Sequence, residues 1–253
     1  MANQGDFLDE DDFSSDSATK VASQQSIKKY VDDNANEWQS FTPTVTRTGD
    51  HIFTVSGDYT ATFRPGTRVK YDDGAVDYGV VGTSSEAGGT TTVTLLTNDD
   101  YAMAAASITN VYYSDIMSPS GFPESFSFTP AFTSVTIGNG TLFAEWVCFG
   151  NTVSITFMFE LGSTSSLTNP TFTAIGTYVN TGYGNVMGFA ACLNAGVAYY
   201  PAQVRQVGTN DLRFVVFDAS ATYATQQAIT NSSVPFSWGT GDILNGFISY
   251  MIE

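Results

Sequence analysis

Apolar and polar positions first keep a helical period and then switch to a period of two. In residues 23–33, Ile27, Tyr30 and Val31 recur at i, i+3 and i+4, which predicts a short helix with one apolar stripe. Ser23 is placed to cap its first turn. A helix of about three turns is marginal alone in water, so the stripe must bury against this chain's own β domain or against copies of the same helix. From residue 41 the alternation is strand-like. Ile52 to Val55, Tyr59 to Phe63, Arg68 to Tyr71, Tyr78 to Val81, Thr90 to Thr97 and Ile108 to Tyr113 all read as strands. Asp72-Asp73-Gly74 reads as a hairpin turn, and Gly88-Gly89 breaks the chain before a β-branched run. Such spacing predicts a small β-barrel-like domain over 41–117, with 23–40 as helix and stalk.

Ser118-Pro119-Ser120-Gly121-Phe122-Pro123 stops any ladder and predicts a stiff connector at 118–123. Beyond it, Thr152 to Leu161 places Val153, Ile155, Phe157, Phe159 and Leu161 on one face, with Ser154, Thr156, Met158 and Glu160 on the other. Thr141 to Phe149 is apolar in both phases, which predicts burial on both faces. With Val186 to Leu193, Leu212 to Phe217 and Ile243 to Ile252, residues 124–253 predict a C-terminal β-sandwich of jelly-roll type. The expected fold class is all-β. A homotrimer is expected because a marginal helix, a two-sided apolar strand and a low-charge body all gain from a shared axis.

Charge narrows the functional classes. Only 13% of the 253 residues are charged, and 25 acids against 9 bases give a net charge of −16. A basic footprint for nucleic-acid phosphates is missing. Residues 119–253 hold only two bases, so that half rests its solubility on Ser, Thr, Asn and Gly. The acidic N-terminus is the opposite of a signal peptide's basic start, and no apolar run is long enough for a membrane helix. Residues 1–22, with the like-charge run Asp9-Glu10-Asp11-Asp12, read as an extended, solvated arm, one ordered by docking on a partner, or a weak cation site.

Candidate chemistry is sparse. One histidine, His51, and two cysteines, Cys148 and Cys192, cannot build a zinc site of Cys and His alone. Both cysteines read as buried thiols, with a cross-sheet disulfide left to geometry. His51 follows a turn, and no Gly-x-Ser-x-Gly elbow accompanies it. The acids Glu124, Glu145, Glu160, Asp211, Asp218 and Asp242 are scattered; Glu145, beside Trp146, has the most apolar context. Gly138-Asn139-Gly140 and Gly239-Thr240-Gly241 read as turns rather than phosphate loops. No catalytic residue, metal or cofactor is expected. Tyr178, Tyr183, Tyr199 and Tyr200 fall in Gly/Asn/Thr-rich or Pro-flanked segments, apart from the regular strands. Aromatic faces with polar tips suit sugars and protein surfaces, so these four are candidate receptor contacts.

Asp9 to Asp32, with its Ser-Ala-Thr, Gln-Gln-Ser-Ile-Lys and Tyr-Val-Asp pattern, resembles the N-terminal segment of tailed-bacteriophage fibre and appendage proteins. Gly66-Thr67-Arg68-Val69-Lys70-Tyr71, Tyr78-Gly79-Val80-Val81, Val111-Tyr112-Tyr113-Ser114 and Pro235-Phe236-Ser237-Trp238 look like their β-rich bodies. The resemblance implies a trimeric virion protein that contributes to host attachment, assembled in the host cytoplasm. It implies that Asp9, Glu10, Asp11, Asp12 and Phe13 anchor the arm to another virion protein. It implies that Ile27, Tyr30 and Val31 pack a stalk, and that the C-terminal domain meets a host glycan or protein. The chain is short for a long fibre and lacks β-helix rungs, which suggests a short fibre, a head or tail decoration, or an adaptor. The alternatives are a virion glycan-processing enzyme and a decoration without a receptor.

Overall fold

The computed structural model describes residues 7–8, 21–35, 37–98, 102–104, 108–176, 186–208, 210–218, 224–228 and 233–252. Strand β1 (Phe7–Leu8) pairs in parallel with β2 (Val21–Ala22), ahead of helix α1 (Gln24–Ala35). The Ser26 N–H donates to the Ser23 hydroxyl at 3.0 Å and the Ile27 N–H to the Ser23 carbonyl at 3.0 Å, so Ser23 caps the helix.

Seven strands follow: β3 (Gln39–Ser40), β4 (Val45–Gly49), β5 (Ile52–Ser56), β6 (Arg68–Asp72), β7 (Val76–Ala87), β8 (Thr90–Leu96) and β9 (Thr109–Ser114). They form one antiparallel sheet in the order β3-β9-β6-β7-β8-β5-β4. Its core holds Phe53, Val55, Phe63, Val69, Tyr71, Val81, Val93 and Leu95. Strand β7 serves two partners: its first half pairs with β6 and its second with β8. The Asp72-Asp73-Gly74 hairpin forms, with Gly74 at φ 121°. Residues Tyr59 to Phe63, expected as a strand, make a turn instead. The Asp58 carboxylate accepts from the N–H and hydroxyl of Thr60, and the Phe63 N–H returns to the Tyr59 carbonyl. That side-chain competition breaks the ladder and drops Phe63 between Phe41 and Phe53, at centroid distances of 4.8 and 5.3 Å.

The remaining strands are β10 (Phe126–Ser127), β11 (Phe132–Thr136), β12 (Thr141–Phe149), β13 (Thr152–Glu160), β14 (Ser166–Thr173), β15 (Val186–Asn194), β16 (Ala198–Gln206), β17 (Asp211–Asp218), β18 (Thr225–Ala228) and β19 (Ile243–Met251). They form a single ten-stranded antiparallel sheet, β10-β12-β13-β19-β15-β16-β17-β14-β11, with β18 beside β17. Its two ends, β10 and β11, are successive pieces of chain, so the sheet wraps round onto itself. Facing walls meet through Phe157, which lies 5.8 Å from Phe172 and 5.5 Å from Phe214. Each such buried ring contributes about 1.5–3 kcal/mol. Among the described residues the chain is all-β apart from α1, as the alternation predicts.

The segment expected as a connector is docked. Pro119 is buried, the Trp38 indole donates to the Ser120 carbonyl at 2.8 Å, and Phe122 packs among Trp38, Tyr78 and Phe126. Val80 and Leu96 of the first sheet join the core of the second. Arg68, 2% exposed, ties the two sheets together through carbonyls alone. It donates to Met117 at 3.0 Å and Gly150 at 3.3 Å, and also to Gly66 and Cys148. Gly66 has φ 91°, and a Cβ there would lie 2.2 Å from the Gly150 oxygen, so only glycine fits.

Cys148 and Cys192 are both free thiols in the second core. Burial pushes Cys192 up to about 12. Burial also raises Cys148, partly offset by the nearby Arg68 guanidinium. Both are protonated at pH 8, and the thiolate is the reactive form. Neither should react with a disulfide-exchange reagent in the native protein at pH 8, and both should react after denaturation. Fast native labelling of either would contradict this packing.

Candidate interaction face

Strands alternate their side chains, so the inward row of the ten-stranded sheet fixes an outward one. On β12 the outward row is Phe143, Glu145, Val147 and Phe149, opposite the buried Ala144, Trp146 and Cys148. The register carries this row across the sheet. Phe143 faces Met158, which faces Asn245 and then Ala191 and Pro201. Glu145 faces Thr156, then Phe247, Phe189 and Gln203. Phe149 faces Thr152 and then Met251, and at the other end Ile243 faces Leu193 and Tyr199.

The result is an aromatic outer face over β12, β13, β19, β15 and β16. Phe143, Phe149, Phe189 and Phe247 are 46, 58, 65 and 50% exposed. At about 200 Å² per ring, these four alone leave roughly 440 Å² of apolar surface in water. Tyr199 adds to it at one end and Met251 at the other, with the Ser154–Ser249 pair between Met251 and Phe247, so the apolar area is at the upper end of what monomers expose. A groove of about 600 Å³ runs between Phe143, Met158, Phe189 and Phe247. Beneath it Gly246 lies on the inward row of β19, opposite Phe157 and Ala190; a Cβ there would lie 2.9 Å from the Phe157 ring. The expectation that β12 is buried on both faces is therefore corrected for the single chain. One face is core, and the other is uncovered.

Charges on this surface are few and separated. Glu145 stands between Phe143 and Val147 and has no ion pair among the described residues. Arg205 and Arg213, the two bases of residues 119–253, are direct cross-strand neighbours on β16 and β17. The Arg213 Nε is buried without a hydrogen-bond partner among the described residues.

The structure distributes the sequence candidates unevenly. Tyr199 and Tyr200 lie on β16, not in a loop. Pro201 misled the reading; it is tolerated because β17 pairs with β16 only from Ala202 onward, leaving Pro201 beside an open edge. Tyr199 joins the outer face, whereas Tyr200 turns toward Phe236 at 5.2 Å. Ile27 and Tyr30 are exposed on α1 rather than buried on either sheet, and the side chain of Val31 lies outside the described residues. Asp9, Glu10, Asp11, Asp12, Phe13, Tyr178 and Tyr183 also lie outside them. Phe189, Phe247 and Met251 were not singled out from sequence. The available signal was a second apolar phase, Ile243, Phe247 and Met251, running beside the core phase Leu244, Ile248 and Tyr250.

The other polar candidates have structural partners. His51 Nδ1 meets the Thr97 hydroxyl at 2.9 Å. The buried Asp242 carboxylate accepts from Ala195 N–H at 2.9 Å and Gly239 N–H at 2.7 Å, pinning the β15–β16 hairpin to the 239–242 turn. Asn139 is held in its turn by Thr164, with both backbone N–H contacts at 2.9 Å. Among the described residues no group of three or more His, Cys, Asp or Glu is placed to hold a metal, and no helix is long and apolar enough to cross a membrane. Compared with known proteins, the chain matches no family model, no curated protein and no solved structure.

Proposed function

We propose that the chain is a threefold building block of a tailed-phage virion, a short fibre or decoration whose copies associate through the outer face of β12, β13, β19 and β15. The observation that carries this reading is that face. Its exposed aromatic area is more than half of the about 800 Å² that each partner gives to a standard protein interface, and it has the aromatic and methionine bias of an interface centre. The occupant is a second copy of the chain. The exposed stripe of Ile27 and Tyr30 on α1 adds a second surface that three copies bury around the same axis. The rolled ten-stranded sheet, read as a jelly-roll-like sandwich, is the body of the block. The resemblance of residues 9–32 to phage appendage proteins supplies the virion context: the arm anchors to another virion protein, and the C-terminal unit carries host attachment on surfaces outside this face.

Light scattering tests the assembly. The full chain should run at roughly three times 27.1 kDa. Phe189→Glu combined with Phe247→Glu should give folded single copies, because two carboxylates would have to be buried unpaired. A wild-type chain that stays at 27.1 kDa across the micromolar range overturns the reading.

A further inference from the structure

The first sheet carries a polar hollow on its outer side. Alternation sends Val69 and Tyr71 of β6 and Val111 of β9 into the core, so Lys70, Asp72 and Tyr112 point outward. Tyr112 on β9 and Tyr78 on β7 are the direct cross-strand neighbours of Lys70, and Val76 is that of Asp72. A bulge in β9 holds Asn110 at φ 49° and brings its Nδ2 to 3.4 Å from the Asp72 carboxylate. These six residues line a hollow of about 480 Å³.

The chemistry of the hollow centres on Lys70. Its ammonium lies 4.4 Å from the centroid of the Tyr112 ring and 4.9 Å from that of the Trp38 ring. Ring faces steady a cation without neutralising it. Among the described residues Lys70 has no ion pair and donates no hydrogen bond to an oxygen. Burial holds its pKa below the usual lysine value, a penalty that an anion in the hollow would offset. The Asp72 carboxylate accepts from the Gly74 N–H at 3.0 Å and from Asn110. A carboxylate offers about four acceptor positions, so Asp72 keeps capacity for hydroxyl donors.

An occupant must therefore bring one negative group for Lys70, hydroxyls for Asp72 and Asn110, and a ring face for the tyrosines. A sugar bearing a carboxylate carries all three on one ring. A neutral sugar leaves the ammonium unmatched. An acidic peptide fits less well, because Asp72 repels a run of carboxylates. Strands β9, β6 and β7 also have partners on both sides, so a peptide cannot add to them as a further strand. We propose that this hollow binds a carboxylated sugar, with the carboxylate on Lys70 and the ring hydroxyls on Asp72 and Asn110. The site is separate from the outer face of the second sheet and does not rest on the assembly reading above.

Titration followed by ligand-observed NMR tests this on the full-length chain. The probes are D-glucuronate, D-galacturonate and N-acetylneuraminate, with D-glucose and acetate as the ring-only and charge-only controls. At least one acidic sugar should bind about tenfold or more tightly than either control. Lys70→Met keeps the stem and removes the charge, and it should abolish that advantage with the far-UV circular dichroism unchanged. Lys70→Gln repeats the test if the methionine disturbs folding. Asn110→Gly, which suits the left-handed backbone at that position, should weaken the same sugar by several fold. Acidic sugars that bind no better than the controls overturn the proposal. Binding that survives both Lys70 variants overturns it too. Lys70-dependent binding of an Asp-Glu-Asp-Asp peptide, with no response to the sugars, overturns it in favour of a protein contact. None of these results bears on the light-scattering mass, so the assembly reading stands or falls separately.

Discussion

Arg68→Ala should lower the stability of the junction between the two sheets by about 2–4 kcal/mol. The guanidinium is the shared donor for the carbonyls of Met117, Gly150, Gly66 and Cys148, contributed by three separate stretches of chain. Removing it strands those acceptors where the backbones of Gly66 and Gly150 leave no room to rearrange. Only the cleft beside them, lined by Arg64, Asp115 and Asn151, would admit water to some of them. Arg68→Lys keeps a charge but loses the planar fork, so it should recover less than half of the loss. Urea unfolding followed by tryptophan fluorescence reads the effect, because Trp38 lies at this junction. A midpoint unchanged in Arg68→Ala would mean that the apolar contacts of Val80, Leu96 and Phe122 hold the sheets together unaided.

Phe157→Ala should cost about 3–5 kcal/mol and lower the melting temperature by about 10 °C or more. Phe157 touches Phe132, Phe172 and Phe214, so it joins the two walls of the rolled sheet. Its ring also lies on the inner side of the sheet directly beneath the groove, against Gly246. The substitution should therefore weaken assembly as well as folding, whereas Phe159→Ala, buried in the same strand and absent from the groove lining, should weaken folding alone. Calorimetry and light scattering on the two variants separate these effects. Equal loss of assembly in both would show that the groove floor has no part in it.

The period-two rows made the all-β class legible, because a strand with one buried face must alternate. Thr152 to Leu161 shows this most clearly, and it became β13 with its odd residues inside. Turns that need glycine were also legible, as at Gly74 and Gly88-Gly89. Tyr59 to Phe63 was not, because a single Asp58 side chain outcompetes the ladder. Strand β16 was hidden by Pro201, whose exclusion from strands holds only where both neighbours are paired. The outer face was half legible. The two apolar phases of Thr141 to Phe149 announced a second apolar face. That Phe189, Phe247 and Tyr199 share it depends on β19 lying between β13 and β15, and pairing order is not written in any local pattern.

That placement of β19 bears on how the protein is made. Strand β19 enters the middle of its sheet, between segments synthesised about 50 to 90 residues earlier. Until residues 243–251 leave the ribosome, β13 and β15 have no common neighbour and Phe247 is missing from the surface. Nascent chains on one messenger therefore cannot present the complete outer face to each other before residues 243–251 have emerged.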